Sequence, residues 1–137
     1  RLVGSSRLYR NPAMDFPGQP SQPDYVNAVV VLDTHLPPQT LLRLLLKLEF
    51  RHQRVRQRRW GPRTLDLDLL LYGNLHLHRH NLTLPHPGLH MRAFVLYPLA
   101  EWAPNLVIPG RSRLSRLLTR CTRRTLRPLP PWQQRCS

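Results

Sequence analysis

The sequence predicts an α+β domain in which helices pack on one face of a small antiparallel sheet. Three stretches carry that prediction: a valine-rich run at 25–33, a leucine-rich run at helical spacing after Pro37 and Pro38, and a second strand-like run at 65–72 closed by Gly73-Asn74. A length of 137 residues suits one domain with a real core. The chain has no internal repeat.

Residues 1–10 read as the end of a helix or loop running into a strand. Over 11–23, Pro12, Pro17, Gly18, Pro20 and Pro23 forbid regular structure and mark a long loop. Loops of that length in a compact domain tend to be functional, and a ligand-covering role is expected. The β-branched run at 25–33 reads as a strand. Pro37 and Pro38 suit a helix start, and Leu41, Leu45 and Leu48, with Leu42 and Leu46 beside them, extend a helix to about residue 51. Residues 53–63 form an arginine-rich loop. The run at 65–72 is a second strand, and the Gly73-Asn74 turn leads into 75–84 as a hairpin. His86-Pro87-Gly88 breaks the chain, 91–102 forms a helix ended by Pro104, and 114–124 forms another.

The net charge is +14, and Lys47 is the single lysine among 21 basic residues. Such a chain is drawn to polyanions, whether nucleic acid, an acidic membrane or a phosphate ligand, and arginine's planar fork matches phosphate oxygens. Charge alone does not choose among these, and an overall codon preference for arginine explains much of the bias. From Arg111 onward there are eight arginines and no acidic residue, and Pro128, Pro130 and Pro131 crowd the end. Residues 111–137 are therefore expected as a basic helix with a frayed tail, beside a main domain over 1–110. Cys121 and Cys136 have neither metal-ligand nor disulfide spacing and are expected as reduced thiols in a cytoplasmic protein. Arg43 and Lys47 interrupt the leucine run well short of the ~18 apolar residues of a membrane span.

The chemistry concentrates in Arg54-Val55-Arg56-Gln57-Arg58-Arg59-Trp60-Gly61-Pro62-Arg63-Thr64-Leu65-Asp66-Leu67-Asp68. Side chains of an extended chain alternate faces, so Asp66 and Asp68 share one side about 6.6 Å apart, opposite Leu65, Leu67 and Leu69. Paired hard oxygens suit Mg²⁺ together with phosphate oxygens. An Asp-x-Asp alone is a weak signal. An arginine-rich loop feeding into it sets cations for phosphate beside anions for metal, as phosphoryl transfer requires. Neither G-x-x-x-x-G-K-[ST] nor G-x-G-x-x-G occurs, which removes both familiar glycine loops for nucleotides.

The run Arg59-Trp60-Gly61-Pro62-Arg63-Thr64-Leu65-Asp66-Leu67-Asp68 resembles the signature of the hydroxymethyldihydropterin pyrophosphokinases. Gln22-Pro23-Asp24-Tyr25-Val26-Asn27 and Leu82-Thr83-Leu84-Pro85-His86 resemble two further segments of that family in order, and the similarity runs from about Val3 to Pro109. The resemblance implies a ferredoxin-like sandwich. It implies transfer of pyrophosphate from ATP to 6-hydroxymethyl-7,8-dihydropterin with release of AMP, in folate biosynthesis, by a monomer. By the same resemblance, Asp66 and Asp68 hold two Mg²⁺ ions that bridge ATP phosphates, and Arg54 and Arg63 close on the triphosphate. Arg56 and Trp60 lie in the same mobile loop, Arg56 toward ATP and Trp60 toward the pterin. Asn27 hydrogen-bonds the pterin, and Tyr25 and Phe94 stack on its two faces. Glu49, Leu69, Thr83, His86 and Arg92 line the nucleotide site.

Gln53 stands where the family carries a glycine before the first loop arginine, and Asn11 where it commonly carries a threonine. The resemblance begins at the segment leading into the family's second strand. The first strand, its Gly-Ser-Asn turn and the first helix, roughly 25–30 residues, are accordingly expected upstream of Arg1. Two other readings stay open. A basic RNA-binding module fits the charge and the tail, although Asp66 and Asp68 would oppose a phosphate backbone in the same groove. A non-catalytic remnant of the family fits the motifs equally.

Overall fold

The computed structural model describes residues 1–11, 25–56, 65–121 and 126–131. The chain forms two compact units, residues 1–33 with 88–137, and residues 34–87. It is a mixed α/β protein with small antiparallel sheets. The elements are β1 (Leu2–Ser5), β2 (Tyr9–Asn11), β3 (Tyr25–Asn27), β4 (Val30–Leu32), α1 (Pro38–Arg56), β5 (Leu77–His78), β6 (Thr83–Leu84), α2 (Ala93–Trp102), α3 (Leu114–Arg120) and β7 (Arg127–Pro128).

In the first unit, the chain before the long loop runs antiparallel to the chain after it. β1 pairs with β4 through Leu2↔Leu32, Gly4↔Val31 and Ser5↔Val30, and β2 pairs with β3 through Tyr9↔Asn27, Arg10↔Val26 and Asn11↔Tyr25. The single strand expected over 25–33 is thus two strands. They part at Ala28-Val29, where the Ser6 amide donates to the Val29 carbonyl at 2.8 Å and the Val29 amide donates to Ser6 Oγ at 3.0 Å. The serine hydroxyl replaces a ladder acceptor, so the ribbon changes sheet with the backbone groups of the buried Val29 paired. The expected loop over 11–23 lies outside the described residues beyond Asn11.

Within the expected frayed tail, Arg127–Pro128 form the strand β7. β7 adds to the free edge of β2 through Tyr9↔Pro128 and Arg10↔Arg127, the Leu129 amide donates to the Leu8 carbonyl at 2.9 Å, and Leu126 is buried. Proline is tolerated because β7 is an edge strand, where a missing amide costs no ladder bond. Burial of Leu126 then outweighs the local preference for irregular chain. Residues 88–137 group with 1–33 in the first unit.

Helix α2 begins after a 3₁₀ turn over Leu89–Met91 and buries Val95, Leu96, Pro98 and Leu99. α3 packs on it through Leu114 and Leu117. At the far end of α2, the Trp102 ring covers β1 so closely that a Cβ at Gly4 would fall 2.2 Å from Cζ3. Gly4→Ala should therefore expel the indole and cost about 1–3 kcal/mol, the usual range for overpacking. Chemical denaturation measures the loss. Introducing Gly4→Ala on a Trp102→Ala background should cost far less, because the clash partner is gone.

In the second unit, α1 starts at Pro38 as the proline pair predicts and runs to Arg56, past the expected end near 51. Arg54 and Arg56 thus belong to the last helical turn and not to a loop from 53. Arginine and glutamine are good helix formers and no Gly or Pro intervenes before Gly61. The inward stripe is Leu41, Leu45 and Glu49, spaced i, i+4, i+8; Leu41 and Glu49 are buried, whereas Leu48, expected in the stripe, is 44% exposed. The hairpin expected between 65–72 and 75–84 about Gly73-Asn74 is not formed among the described residues; the observed one lies wholly within 75–84, where β5 and β6 pair through Leu77↔Leu84 and His78↔Thr83. Gly73, at φ +55°, takes the left-handed turn position as foreseen, and the Leu75 amide bonds the Tyr72 carbonyl at 3.0 Å.

Residues 65–72 are not a strand of any ladder among the described residues. Their exposure still alternates as an extended chain requires, with Leu65 and Leu67 half-buried and Asp66 and Asp68 exposed. Alternation is a property of one chain and follows from its residues, whereas a ladder needs a neighbour that the local pattern does not name. Among the described residues, no helix is long and apolar enough to cross a membrane.

Candidate active site

Within the second unit, a cleft of about 420 Å³ lies between α1, the extended chain at 65–69 and the β5–β6 hairpin with its following turn. Glu49, Asp66, Asp68, Leu69, Thr83 and His86 all line it. Six residues singled out in the sequence are thereby brought to one cavity.

The carboxylate pair is held from below. Glu49 is 7% exposed, and its Oε1 accepts the amide of Leu67, the residue between Asp66 and Asp68, at 2.6 Å. A charge-assisted bond of this length fixes the backbone at the midpoint of the pair, so both aspartates keep to the open side. Glu49→Leu should leave a part-buried amide without its acceptor and cost about 1–3 kcal/mol. Urea unfolding checks the cost, and hydrogen exchange at the Leu67 amide should accelerate specifically. Retained protection at Leu67 would show that another group holds the segment.

On the opposite wall, the His86 amide donates to the Leu70 carbonyl at 2.8 Å, which holds the Pro85-His86-Pro87 turn alongside the carboxylate segment. The Leu84-Pro85 peptide is cis. His80 and Asn81 also line the cleft, from the turn joining β5 to β6. Sequence reasoning had given His80 no role. Nothing in its spacing distinguishes it from His76 or His78, and only the hairpin register brings it to the cavity.

No group of three or more His, Cys, Asp or Glu side chains among the described residues could hold a metal ion. Asp66 and Asp68, two exposed carboxylates lining the cleft, are the candidate hard-oxygen donors for a cation. That set fits Mg²⁺ bound together with a phosphate ligand, since Mg²⁺ keeps several waters and takes one or two carboxylates plus phosphate oxygens.

The remaining candidates divide as follows. Trp60 and Arg63 lie outside the described residues, and Arg54 and Arg56 are placed by their helical backbone only. Tyr25 and Asn27 sit on β3. Asn27 Oδ1 is buried and has no hydrogen-bond partner among the described residues. Phe94 is half-buried in the first turn of α2, and the Arg92 guanidinium lies 5.7 Å from the centre of its ring.

The sequence profile of the 7,8-dihydro-6-hydroxymethylpterin-pyrophosphokinase family matches residues 1–104. The 2-amino-4-hydroxy-6-hydroxymethyldihydropteridine pyrophosphokinase of Pseudomonas aeruginosa is 46% identical over 130 residues, covering 95% of this chain and 78% of its own length. The protein of the same name from Haemophilus influenzae is 46% identical over 117 residues, 85% of this chain and 71% of its own. That from Synechocystis is 52% identical over 90 residues, 66% of this chain and 46% of its own. With three quarters of its length matched by the profile and relatives near half identity, the chain belongs to the 7,8-dihydro-6-hydroxymethylpterin-pyrophosphokinase family.

Proposed function

We propose that this protein transfers the pyrophosphoryl group of ATP to 6-hydroxymethyl-7,8-dihydropterin and releases AMP, as a step of folate biosynthesis, on a ferredoxin-like sandwich. The observation that carries this reading is the pair of exposed aspartates, Asp66 and Asp68, braced by Glu49 at the rim of a cleft. A carboxylate pair with no third protein ligand among the described residues suits a cation delivered with a nucleotide's phosphates better than a closed structural site.

In this reading Asp66 and Asp68 would hold two Mg²⁺ ions, which when bound would offset the triphosphate charge and polarise the transferred group. Thr83 on β6 and His86 in the turn that follows it orient the nucleotide, with Leu69 giving apolar contact. Arg54, Arg56, Arg63 and Arg92 supply positive charge to the phosphates. The pterin is held by the other set: Tyr25 and Phe94 on its faces, Trp60 from the arginine-rich loop, and Asn27, whose buried Oδ1 suits an N–H of the pterin edge. The hydroxymethyl oxygen forms a bond to the β-phosphorus as the bond from that phosphorus to the α-phosphate oxygen breaks. The bonding electron pair leaves with that bridging oxygen on AMP, and the hydroxyl proton passes to solvent. Positioning and electrostatics supply the acceleration, and no side chain is assigned as a general base.

The test is AMP formation from ATP with and without the pterin. AMP that appears only with the pterin supports the transfer. An ATPase indifferent to the pterin, or affinity for RNA that falls steeply with salt and no AMP at all, would put a different protein in its place.

A further inference from the structure

One polar cluster of the first unit is untouched by these substrate roles. Tyr9 is 3% exposed on β2, and its hydroxyl donates to Glu101 Oε2 in the last turn of α2. Glu101 Oε1 accepts from Arg7 Nε at 2.9 Å and from the Arg7 amide at 3.4 Å. The Arg7 guanidinium lies 5.8 Å from the centre of the Tyr9 ring, with Nη2 3.5 Å from the hydroxyl. A buried phenol needs a partner, and this one takes a charged acceptor that Arg7 balances. Burial and the bond to Glu101 raise the Tyr9 pKa. Burial pushes Glu101 upward, but the bonds from Tyr9 and Arg7 outweigh it and hold the carboxylate below its ordinary value.

Each end of this tie adjoins a pterin residue. Tyr9 is directly opposite Asn27 in the β2–β3 ladder, so the two side chains are neighbours on one face of the sheet. Glu101 follows Phe94 by seven residues, which places both on the same face of α2 about 10.5 Å apart along its axis. Between them stands Pro98, which lacks the amide that would bond the Phe94 carbonyl within the helix. The helix is thus least self-supporting just where it carries the ring, and a fixed point beyond the proline is needed to hold its rotation.

We propose that the Tyr9–Glu101 bond is a positioning device for the pterin site, joining the strand pair that carries Asn27 to the helix that carries Phe94. This rests on the reading that those two residues hold the pterin. Tyr9 and Glu101 are positioning residues and touch no substrate.

The experiment compares Tyr9→Phe, Glu101→Leu and Glu101→Gln with the full-length protein, measuring equilibrium binding of 6-hydroxymethyl-7,8-dihydropterin and, separately, of a non-hydrolysable ATP analogue with Mg²⁺. Tyr9→Phe and Glu101→Leu should each weaken pterin binding roughly tenfold, the worth of a hydrogen bond to a charged group, with the analogue's affinity within about twofold of wild type. Glu101→Gln keeps an acceptor for the phenol and should recover most of the pterin affinity. Should Tyr9→Phe not fold, the two Glu101 variants decide the matter alone. Equal losses for both ligands, or unchanged pterin binding in Glu101→Leu, would overturn the proposal. Asn27→Ala separates this from the parent reading. If it abolishes pterin binding while Glu101→Leu does not weaken it, only the tie is wrong. If Asn27→Ala leaves pterin binding intact, the pterin assignment itself fails and the tie with it.

Discussion

Asp66→Asn and Asp68→Asn should each lower turnover by roughly three orders of magnitude, the equivalent of several kcal/mol of transition-state charge stabilisation. Both side chains are exposed at the cleft, so neither substitution removes core contacts, and the unfolding midpoint should move little. Asparagine keeps the shape and one oxygen but loses the charge that attracts a cation. Raising Mg²⁺ should therefore recover part of the rate in each single variant and none in the double variant. Steady-state rates against Mg²⁺ concentration provide the check. Wild-type turnover in either single variant would mean that the cation, and with it the triphosphate, lies elsewhere.

The second large effect is expected at the arginines. Arg54→Ala and Arg63→Ala should each reduce kcat by about 10²–10³-fold, the usual cost of removing one preorganised donor to developing charge. Pterin affinity should change much less, because the contacts are assigned to a triphosphate whose charge redistributes in the transition state. Lysine at either position should rescue only partly, since a point charge does not reproduce the planar fork. Single-turnover rates paired with pterin binding separate the two quantities. Variants impaired only in pterin affinity would reassign both arginines.

How far the sequence could be read depended on whether a property belongs to one segment or to a pair. The shared orientation of Asp66 and Asp68 follows from strand geometry alone, and it persists in the alternating exposure even though residues 65–72 join no ladder among the described residues. The start of α1 at Pro38, the turn at Gly73 and the end of α2 before Pro104 are likewise set by local chemistry. Glu49 was legible only as a nucleotide-lining residue by resemblance. Its burial on the inward stripe of α1 became intelligible once its partner, the Leu67 amide 18 positions on, was known. The same limit explains β7. Three prolines forecast irregular chain, and the free edge of β2 that accepts Arg127–Pro128 is invisible from 126–131 alone. His80 enters the cleft through hairpin register, a pairing property that spacing does not encode.

In the proposed reading, the two compact units also divide most of the chemistry in a way the linear motif order conceals. The cleft residues Glu49, Asp66, Asp68, Leu69, Thr83 and His86 all come from 34–87, while Asn27, Arg92 and Phe94 come from the other unit. Substitutions should sort accordingly: those in the cleft should act on nucleotide and metal dependence, and those on β3 and α2 on the pterin. Arg92, assigned to the nucleotide by resemblance but set beside Phe94 in the fold, cuts across that division, as does Trp60, assigned to the pterin from within 34–87.

The most direct measurement follows phosphorus. With ATP labelled separately at the β and γ positions, both labels should appear on the pterin product in equal amounts, each matched by one AMP and none by ADP. Transfer of the γ label alone with release of ADP, or loss of either label to free phosphate at a rate indifferent to the pterin, would contradict attack at the β-phosphorus.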